Sequence, residues 1–326
     1  MIDVSIVVVA HNDADDLPVC LASAIAQNGV SIETIVVDNA SADPSRQVAA
    51  RFAPAARVIA LPENVGFAAG MNRGIEEAAG RYVLALNPDC RLLPDFAAVL
   101  AARLDARPDA GSASGRIYRA DGPQLAATDR LDSTGLYFTA FGRHFDRDSG
   151  ACTDLRSTRE EEIFGASGAA GFYRREALES TKISTGYFDA DFFLYREDAD
   201  LAWRLQRLGW KCLYVPGAVA YHRRRNLPER RRSMTARANF HSVKNRFVLR
   251  INNESLGHFC ATCVPTVARD LVVLAACLTV ERSSLPAFGW LWKNRKRLWA
   301  KRREIAEKVR ERALGAGGDG RSVSIR

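Results

Sequence analysis

Three carboxylates interrupt the segment FFLYREDADLAWRL, residues 192–205, which otherwise has the apolar spacing of a helix. Glu197 and Asp198 are adjacent, so a helix would point their side chains about 100° apart and one of them could face a cleft. A carboxylate at the rim of an apolar pocket, beside a like charge, acquires a raised pKa and suits the role of a general base. Asp200 then serves as a pairing or solvated residue. A surface helix with internal salt bridges is the alternative interpretation of the same pattern.

Further polar side chains follow the predicted strands. The β-branched run VSIVVVA (4–10) favours a strand buried on both faces, and strand-like runs recur at 33–37, 57–61 and 82–89. In an open parallel sheet, ligands bind at the carboxyl ends of the strands. The polar residues at these ends are His11, Asn12, Asp38, Asn39, Asn87 and Asp89. Each can begin an ordinary turn, but three strands that end in this way on one edge indicate a binding site.

Three of the polar positions have a specific chemical interpretation. Asp38 could accept hydrogen bonds from a nucleobase or ribose, or it could cap the next helix. Asp89 could hold a hard divalent cation, because substrate phosphates and water would complete its coordination shell; a turn is the alternative. His222 ends the run LYVPGAVAYH and could be a metal ligand or a phosphate donor, although a lone histidine at a strand end usually has neither role.

Strands and helices alternate in the first part of the chain, with helical spacing at 15–27, 44–52 and 64–80 between the strands. This alternation predicts an α/β fold with an open, mostly parallel sheet and helices on both faces. The Gly-, Asp- and Arg-rich stretch 115–163 is expected to form an irregular loop region over the sheet edge. Beyond about residue 235 the chain is predicted to be helical and basic.

The composition predicts a folded protein with an anionic partner. Of 326 residues, 47% are hydrophobic and 26% charged, and the formal net charge is +8. The excess lies in two blocks of the C-terminal third, one at 223–232 and the other at 293–303. A basic C-terminal region on a near-neutral body is typical of a docking region.

No signal peptide, transmembrane helix or metal-binding cysteine cluster is expected. The N-terminus lacks a basic n-region. The apolar stretches 271–280 and 287–292 are each too short to cross about 30 Å of hydrocarbon, and Arg269 and Asp270 interrupt the approach to the first. The seven cysteines include one C-x-x-C pair without a second pair, which is typical of reduced thiols in the cytoplasm.

Taken together, the motifs resemble the inverting nucleotide-sugar glycosyltransferases of family 2, which have the GT-A fold. The matching pieces appear in the family's order over about residues 3–250: VSIVVVAHN, IVVDNASAD, ENVGFAAGMNRGI, LALNPDC, GASGAAGFYRREAL, FDADFFLYREDADLAWRLQRLGWKCLYVPGAVAYH and FHSVKNRFVL. Within the family the set is most similar to rhamnosyltransferases of bacterial cell-wall and O-antigen polysaccharide assembly. Galactofuranosyl-type transferases share much of it.

The resemblance implies roles for the donor-side residues. Asp38 matches the carboxylate that binds the nucleoside, and Asn12 with its neighbours, including His11 and Asn39, matches the loop against the base. The loop and helix start that flank the nucleotide-sugar are matched by Asn64, Gly66, Gly70 and Asn72.

The resemblance also implies a divalent cofactor, Mg²⁺ or Mn²⁺, and a catalytic base. Asp89 matches the last acid of the metal-binding D-x-D motif, while Asn87 replaces the first acid and reduces the negative charge of the site. His222 matches a metal ligand after the last core strand. Asp198, with Glu197 beside it, matches the catalytic base of the family's Glu-Asp motif. Asp198 would deprotonate an acceptor hydroxyl that attacks the anomeric carbon opposite the leaving nucleoside diphosphate, which inverts the configuration.

The C-terminal region is expected to divide into a basic amphipathic helical part, 246–314, after a catalytic domain at 1–245, with a disordered tail at 315–326. Apolar residues at helical spacing and tryptophans among Lys and Arg suit helices that lie on an anionic leaflet. Their purpose would be to bring the cleft to a lipid-linked acceptor at the inner face of the plasma membrane. Packing on the catalytic domain or on a second subunit is the alternative.

The function expected from these features is transfer of a sugar, L-rhamnose from dTDP-rhamnose, to a lipid-linked or polysaccharide acceptor. A galactofuranosyl- or other hexosyltransferase of the same family is the alternative. A nucleotidyltransferase on a related fold would show a Gly-rich basic loop after the first strand, where this chain has AHNDADDLP. No nucleic-acid partner is expected, because aromatic stacking motifs do not accompany the first arginine block.

Overall fold

The computed structural model describes residues 2–139, 142–152, 158–224 and 235–315. Within these ranges the strands are β1 (Val4–Ala10), β2 (Ile32–Asp38), β3 (Ala56–Ala60), β4 (Tyr82–Leu86), β5 (Cys90–Leu92), β6 (Ala110–Asp121), β7 (Ala126–Ser133), β8 (Leu136–Phe138), β9 (His144–Asp146), β10 (Glu161–Ile163), β11 (Ala170–Arg174) and β12 (Lys211–His222). The α-helices are α1 (Leu17–Ile25), α2 (Ser45–Ala50), α3 (Phe67–Glu76), α4 (Phe96–Ala106), α5 (Arg175–Thr181), α6 (Glu197–Arg207), α7 (Ala236–Asn253), α8 (Leu256–Thr279) and α9 (Pro286–Gly315).

A ten-stranded sheet organises the described part of the chain. The strand order is β10-β12-β6-β11-β4-β1-β2-β3, with β5 also paired to β12 and β7 to β6. Strands β1 to β4 run parallel to one another and β6 runs parallel to β12, whereas β11 lies antiparallel between β4 and β6. The predicted α/β fold, with a mostly parallel sheet flanked by helices, is confirmed.

The sheet is covered by helices on both faces. Every residue of β1 is buried, because alternate side chains of a strand enter opposite layers. Ile6 and Val8 pack in the layer that contains α1 and α4. Val7 and Val9 pack in the layer that contains α3 and α6. The continuous β-branched run of β1 therefore reflects burial on both sides.

The prediction of an irregular loop over 115–163 is wrong. This stretch contains the end of β6 and all of β7 to β10, and β8 pairs with β9 in a separate two-stranded sheet. The strands were missed because they are short or half-exposed: the first five residues of β7 are mostly exposed and its last three are buried. Polar side chains on such strands remove the apolar alternation that identifies a strand.

Asp200, the third carboxylate of helix α6, holds this helix in place through buried partners. Asp200 forms a fully buried ion pair with Arg204 (Oδ2–Nε, 2.8 Å), and Arg204 also donates to two backbone carbonyls, those of Thr181 and Tyr187. The other oxygen of Asp200 accepts hydrogen bonds from Asn252 (3.1 Å) and Asn253 (2.7 Å) of α7. The pairing role predicted for Asp200 is confirmed, and it fixes α6 against α7.

Helix α9 is docked on the body of the protein through buried charge. Lys301 pairs with Asp189, and with Asp191 at 2.7 Å, in the segment that precedes α6. Glu304 accepts from the hydroxyl of Ser184 at 2.7 Å. The predicted boundary at residue 245 falls inside α7, so a continuous helix joins the two predicted domains.

Helix α8 lies along the body with one face docked and the opposite face open. The docked stripe has helical spacing and consists of His258, Thr262, Thr266, Asp270 and Cys277. Asp270 pairs with Arg246 (2.8 Å) and Arg250 (2.5 Å) of α7. The open face carries exposed apolar side chains, among them Val264 (77% exposed) and Leu271 (62%).

The structure corrects the expectation that no helix is long enough to cross a bilayer. Residues Leu256–Thr279 form one continuous helix, and by length and composition it could span a membrane, with a mean hydropathy of 1.6 over an 18-residue stretch. The helix was not expected because Arg269 and Asp270 interrupt the apolar run in the sequence. In the structure the helix runs through both residues, and Asp270 is neutralised by arginines of α7.

Replacing Lys301 with alanine should destabilise the protein by about 3–5 kcal/mol, because Asp189 would remain buried without its cation. Urea-induced unfolding measures the change in the free energy of unfolding. The matched control is Lys293→Ala in the exposed part of the same helix, which should change it by less than about 0.5 kcal/mol. Equal effects of the two substitutions would contradict the docking role of Lys301.

Candidate active site

The carboxyl edge of the parallel strands gathers the predicted polar residues. Asp38 is the last residue of β2, Asn87 and Asp89 follow β4, and His222 ends β12. The antiparallel strand β11 begins at this edge, so the turn that precedes it, containing Gly168, also lies there. The chain therefore brings segments that are far apart in sequence to one side of the sheet.

His11, Asn12 and Asp38 connect the loops after β1 and β2. The Asn12 amide oxygen accepts backbone hydrogen bonds from Ala42 (2.8 Å) and Asp43 (3.2 Å), and the residue adopts a positive φ of 61°. The His11 ring lies 2.9 Å from the carbonyl oxygen of Asn39. Asp38 is 4% exposed and accepts from the amide of Ser41 at 3.2 Å. The two loops thus form one surface at the sheet edge.

Asn39 and Asn64 shape the loop that leads into α3. The Asn39 side chain donates to Asn64 Oδ1 (3.2 Å) and to the carbonyl of Gly66 (3.1 Å), and it accepts from the amide of Val65 (2.9 Å). Gly66 has φ of 87°, and a Cβ there would lie 2.6 Å from Phe193. Only glycine combines this backbone conformation with that close approach.

Gly70 and Asn72, which are predicted to flank the nucleotide-sugar, are both buried. Gly70 lets α3 approach β1, since an added Cβ would lie 2.9 Å from Val9. Asn72 is 6% exposed; its amide donates to the carbonyl of Phe188 (2.8 Å) and its oxygen accepts from the amide of the same residue (2.8 Å). Both residues position α3, and their place beside the nucleotide-sugar stays a prediction.

His222 lies between two carboxylates. Its Nε2 is 3.1 Å from Asp89 Oδ1 and its Nδ1 is 2.8 Å from Asp132 Oδ2. Burial disfavours a charged ring, but the attraction of Asp89 and Asp132 outweighs it and raises the pKa of His222 to about 10. In the protein without a metal, a proton on Nε2 therefore occupies the position between His222 and Asp89.

The donor atoms of this cluster fit a divalent cation. A carboxylate oxygen of Asp89 and the Nε2 of His222 converge. Asp132 binds the other ring nitrogen of His222, and a carboxylate in this position typically orients a metal-bound histidine. A cation there would replace the Nε2 proton and take its remaining ligands from phosphate oxygens and water. Cys90 lies within the same cluster, but its thiol points at the carbonyl of Ala169 (3.2 Å) and burial raises its pKa well above the usual value. Asp89 and His222 are therefore the suitable ligands.

Asp198 is held by two backbone amides at the start of α6. Its Oδ2 accepts from Gly168 (3.1 Å) and its Oδ1 from Ala199 (2.7 Å). A Cβ on Gly168 would lie 2.8 Å from Asp198 Oδ2, so this contact requires glycine. Burial and the nearby Asp146 raise the pKa of Asp198 to about 6, which leaves it mostly ionised at neutral pH.

Glu197 differs from its neighbour in charge. It is buried, and its Oε2 has no hydrogen-bond partner among the described residues. Burial, and the charge of Asp198 beside it, raise the pKa of Glu197 to about 8, so it is mostly protonated at neutral pH. Of the two predicted catalytic acids, Asp198 is the one that can accept a proton there.

Two consecutive residues connect the turn that carries Asp89 with Asp198. The amide of Asn87 donates to the carbonyl of Ala169 at 2.9 Å, while the amide of Gly168 donates to Asp198. Asp89 and Asp198, 109 positions apart in sequence, are thus held at the same edge of the sheet.

Asp132, Asp146 and Arg224 belong to the site but are not predicted from the sequence. Arg224 pairs with Asp132 (3.2 Å) and with Asp146, and so links the histidine cluster to the surroundings of Asp198. Both acids lie in the stretch that was predicted to be irregular, where no pattern marked them. The sequence places Arg223 and Arg224 in a basic block that is predicted to dock on a partner. In the structure both instead pair with acids of the same chain, Arg223 with the buried Asp16 at 2.6 Å. Residues 225–232 of that block lie outside the described ranges.

The fold and the acids at its carboxyl edge define a glycosyltransferase of the GT-A type. The model of the glycosyl transferase family 2 matches residues 5–181, more than half of the chain. The protein belongs to this family, and the family resemblance noted from the sequence is confirmed.

Two relatives connect the chain with polysaccharide assembly. The succinoglycan biosynthesis protein ExoO of Rhizobium meliloti is 40% identical over 105 residues, which cover 32% of this chain and 30% of that protein. The N-acetylglucosaminyl-diphospho-decaprenol L-rhamnosyltransferase of Mycobacterium tuberculosis is 28% identical over 234 residues, which cover 67% of this chain and 75% of that protein. The match with ExoO thus spans less than a third of that relative's length.

Solved structures of glycosyltransferases share the fold. S. aureus TarS 1–349 superposes with a TM-score of 0.56 at 17% identity, over 98% of this chain and 93% of that chain. The mannosyltransferase PcManGT from Pyrobaculum calidifontis, solved with GDP-Man and Mn²⁺, superposes with a TM-score of 0.52 at 17% identity, over 96% of this chain and 89% of that chain.

Replacing Glu197 with glutamine should stabilise the protein increasingly as the pH rises from about 4.5 to 8. Over this range the unfolded chain ionises at Glu197 while the folded protein keeps the proton, so wild-type stability falls with pH. Between pH 5 and pH 8, urea unfolding should show the free-energy difference between variant and wild type growing by about 3–4 kcal/mol. The exposed Glu307→Gln is the control, and a difference that does not change with pH would refute the protonated state.

Proposed function

We propose that the protein is an inverting glycosyltransferase that moves a sugar from a nucleoside diphosphate to a hydroxyl of a lipid-linked or polysaccharide acceptor. The observation that carries this proposal is the convergence of Asp89 and Asp198 through Gly168 and Ala169. The two acids have separate tasks, one on the diphosphate side and one on the acceptor side of the reacting carbon.

In this mechanism the Asp198 carboxylate accepts the proton of the acceptor hydroxyl. The hydroxyl oxygen forms a bond to the anomeric carbon while the bond from that carbon to the diphosphate oxygen breaks, and its electron pair leaves with the nucleoside diphosphate. Asp89 and His222 would hold a divalent cation, which when bound offsets the charge that develops on the diphosphate. Attack opposite the leaving group inverts the configuration.

L-Rhamnose from dTDP-rhamnose is the proposed donor sugar, and an isoprenoid-diphosphate-linked saccharide is the proposed acceptor. The support is the M. tuberculosis relative, whose name specifies rhamnosyl transfer to a saccharide on diphospho-decaprenol. A galactofuranosyl- or other hexosyl donor is the alternative, since the shared motifs do not distinguish the sugars. The described residues that would face the nucleoside are Asp38, His11 and Asn12, at the surface formed by the first two loops.

The Asp198→Asn variant tests the base. Turnover should fall at least about a thousandfold, because asparagine cannot accept the proton, whereas donor binding should stay within about threefold of wild type. Release of nucleoside diphosphate from a panel of donors, with Mn²⁺ and without divalent metal, measures turnover, and calorimetry measures donor binding. Asp95→Asn, on the exposed surface before α4, is the control. Turnover of Asp198→Asn near the wild-type rate would reject the assignment.

We also propose that the open face of α8 lies on the cytoplasmic leaflet of the plasma membrane, which would place the cleft beside a lipid-linked acceptor. Leu256, Val264, Leu271 and Leu278 are between 54% and 77% exposed, and cations of α9 such as Lys293 and Arg295 are also exposed. Apolar side chains beside lysine and arginine suit an anionic interface. A helix docked along one stripe, as α8 is, would lie in the interface plane.

Leu271→Glu should weaken binding to vesicles that contain anionic lipid by about tenfold or more, because it removes an apolar contact and adds a repelled charge. Co-sedimentation with such vesicles measures the bound fraction. Ala55→Glu makes the same change of charge at an exposed position before β3 and should leave binding unchanged. Equal binding by wild type and Leu271→Glu would exclude α8 as the contact.

A further inference from the structure

A groove lies between the β8–β9 hairpin and the middle of α8. Its volume is about 400 Å³, within the range of roughly 300–1,000 Å³ common for small-molecule sites. The hairpin contributes Arg143 and Phe145 to its walls, and α8 contributes Pro265, Ala268, Arg269 and Val272. The lining is apolar except for Thr139 and the two arginines, so the groove suits a ligand with a hydrocarbon part and an anionic part.

The hairpin separates this groove from the acids of the active site. Successive residues of a strand point to opposite faces. On one face of β9, Nδ1 of His144 lies 3.1 Å from a guanidinium nitrogen of Arg196, the residue before Glu197. On the same face, Asp146 pairs with Arg224. On the other face, Phe145 stacks on Tyr137 of β8 with ring centroids 5.4 Å apart. The groove and the catalytic base therefore lie on the two sides of one β-layer.

The arginines of the groove are placed to meet an anion. The Arg143 guanidinium lies 4.2 Å above the ring of Phe145. Arg269 is half-buried on α8 and its Nε is inaccessible to a ligand, so only the terminal nitrogens of this guanidinium can meet an anion in the groove. The neighbouring acid, Asp270, is taken by Arg246 and Arg250 of α7. Arginine side chains bind phosphate oxygens through paired N–H donors, so a diphosphate would match this pair of cations.

The groove is open toward the face of α8 that would contact lipid. Ala268 and Val272 line the groove and are also exposed, and Leu271 beside them belongs to the open face. A hydrocarbon chain could thus pass from a bilayer into the groove without crossing polar surface.

We propose that this groove binds the diphosphate and first isoprene units of the lipid-linked acceptor, an inference that rests on the proposed function. The isoprenoid contacts Phe145, Pro265 and Val272, and Arg143 and Arg269 bind the diphosphate. The sugar carried by the diphosphate reaches over the β8–β9 hairpin to Asp198. The groove thereby selects acceptors that carry an isoprenoid diphosphate over free saccharides.

The test uses Ala268→Trp, which fills the groove, and Ala275→Trp, an exposed position of the same helix that does not line it. Kinetics compare a saccharide on an isoprenoid diphosphate with the methyl glycoside of the same saccharide. Ala268→Trp should raise KM for the isoprenoid-linked acceptor at least tenfold, without changing the donor KM or kcat/KM for the methyl glycoside. Ala275→Trp should change none of these. An equal effect of Ala268→Trp on both acceptors, or on neither, overturns the proposal.

Direct binding separates this inference from the proposed function. Farnesyl diphosphate is the probe, measured by calorimetry without divalent metal so that Asp89 and His222 do not hold its diphosphate through a cation. Wild type and Ala275→Trp should bind it, and Ala268→Trp should bind at least tenfold more weakly. Arg269→Gln should weaken the binding of farnesyl diphosphate but not the binding of farnesol. If wild type binds the probe in this pattern yet transfers no sugar, the proposed function is wrong and the proposed ligand of the groove is supported. If wild type transfers sugar but does not bind the probe, or binds it equally well after Ala268→Trp, only the proposal about the groove is wrong.

Discussion

The two peptide groups at Gly168 and Ala169 determine the geometry of the site. One donates to Asp198 at the start of α6, and the other accepts from Asn87 in the turn that carries Asp89. Because β11 pairs with β4 directly after these residues, the sheet itself sets their position. The separation between Asp89 and Asp198 is therefore as rigid as the sheet. The missing Cβ of Gly168 is what allows the carboxylate to approach so closely.

Around this anchor the protein buries charge that it could not tolerate unpaired. Asp132 is fully buried and retains its charge because His222 and Arg224 flank it. Burial alone would raise the pKa of its carboxyl, but these two cations lower the pKa below the usual value. Glu197 has no such partner among the described residues, and the folded protein keeps it protonated. Adjacent acids thus acquire different charge states from their surroundings, which leaves Asp198 as the ionised acid of the pair at neutral pH.

The C-terminal helices divide their residues between two surfaces. Helix α9 turns part of its positive charge inward: Lys301 meets Asp189 and Asp191, and Arg302 donates to backbone carbonyls of α7 and its C-terminus, at Ile251 and Glu254. Helix α8 turns its polar residues inward and its apolar residues outward, the reverse of an ordinary surface helix. An outward apolar face lies next to the groove that contains the two arginines, and this arrangement is compatible with the proposed uptake of an amphiphilic acceptor from a membrane.

The sequence by itself determined the parallel half of the sheet and the polar residues at its edge. A strand such as β1, which is buried on both faces, must be continuously apolar, and in such sheets ligands bind at the carboxyl ends of the strands. It also marked Asp89, Asp198 and His222. Only the tertiary structure decided which of the predicted site residues are buried, as Asn72 and Gly70 are. It also added three residues that the sequence does not predict for the site: Asp132, Asp146 and Arg224. The physical reason is that their roles depend on partners far away in the chain: a carboxylate's charge, a glycine's clearance and a helix's open face exist only after the strands and helices have packed.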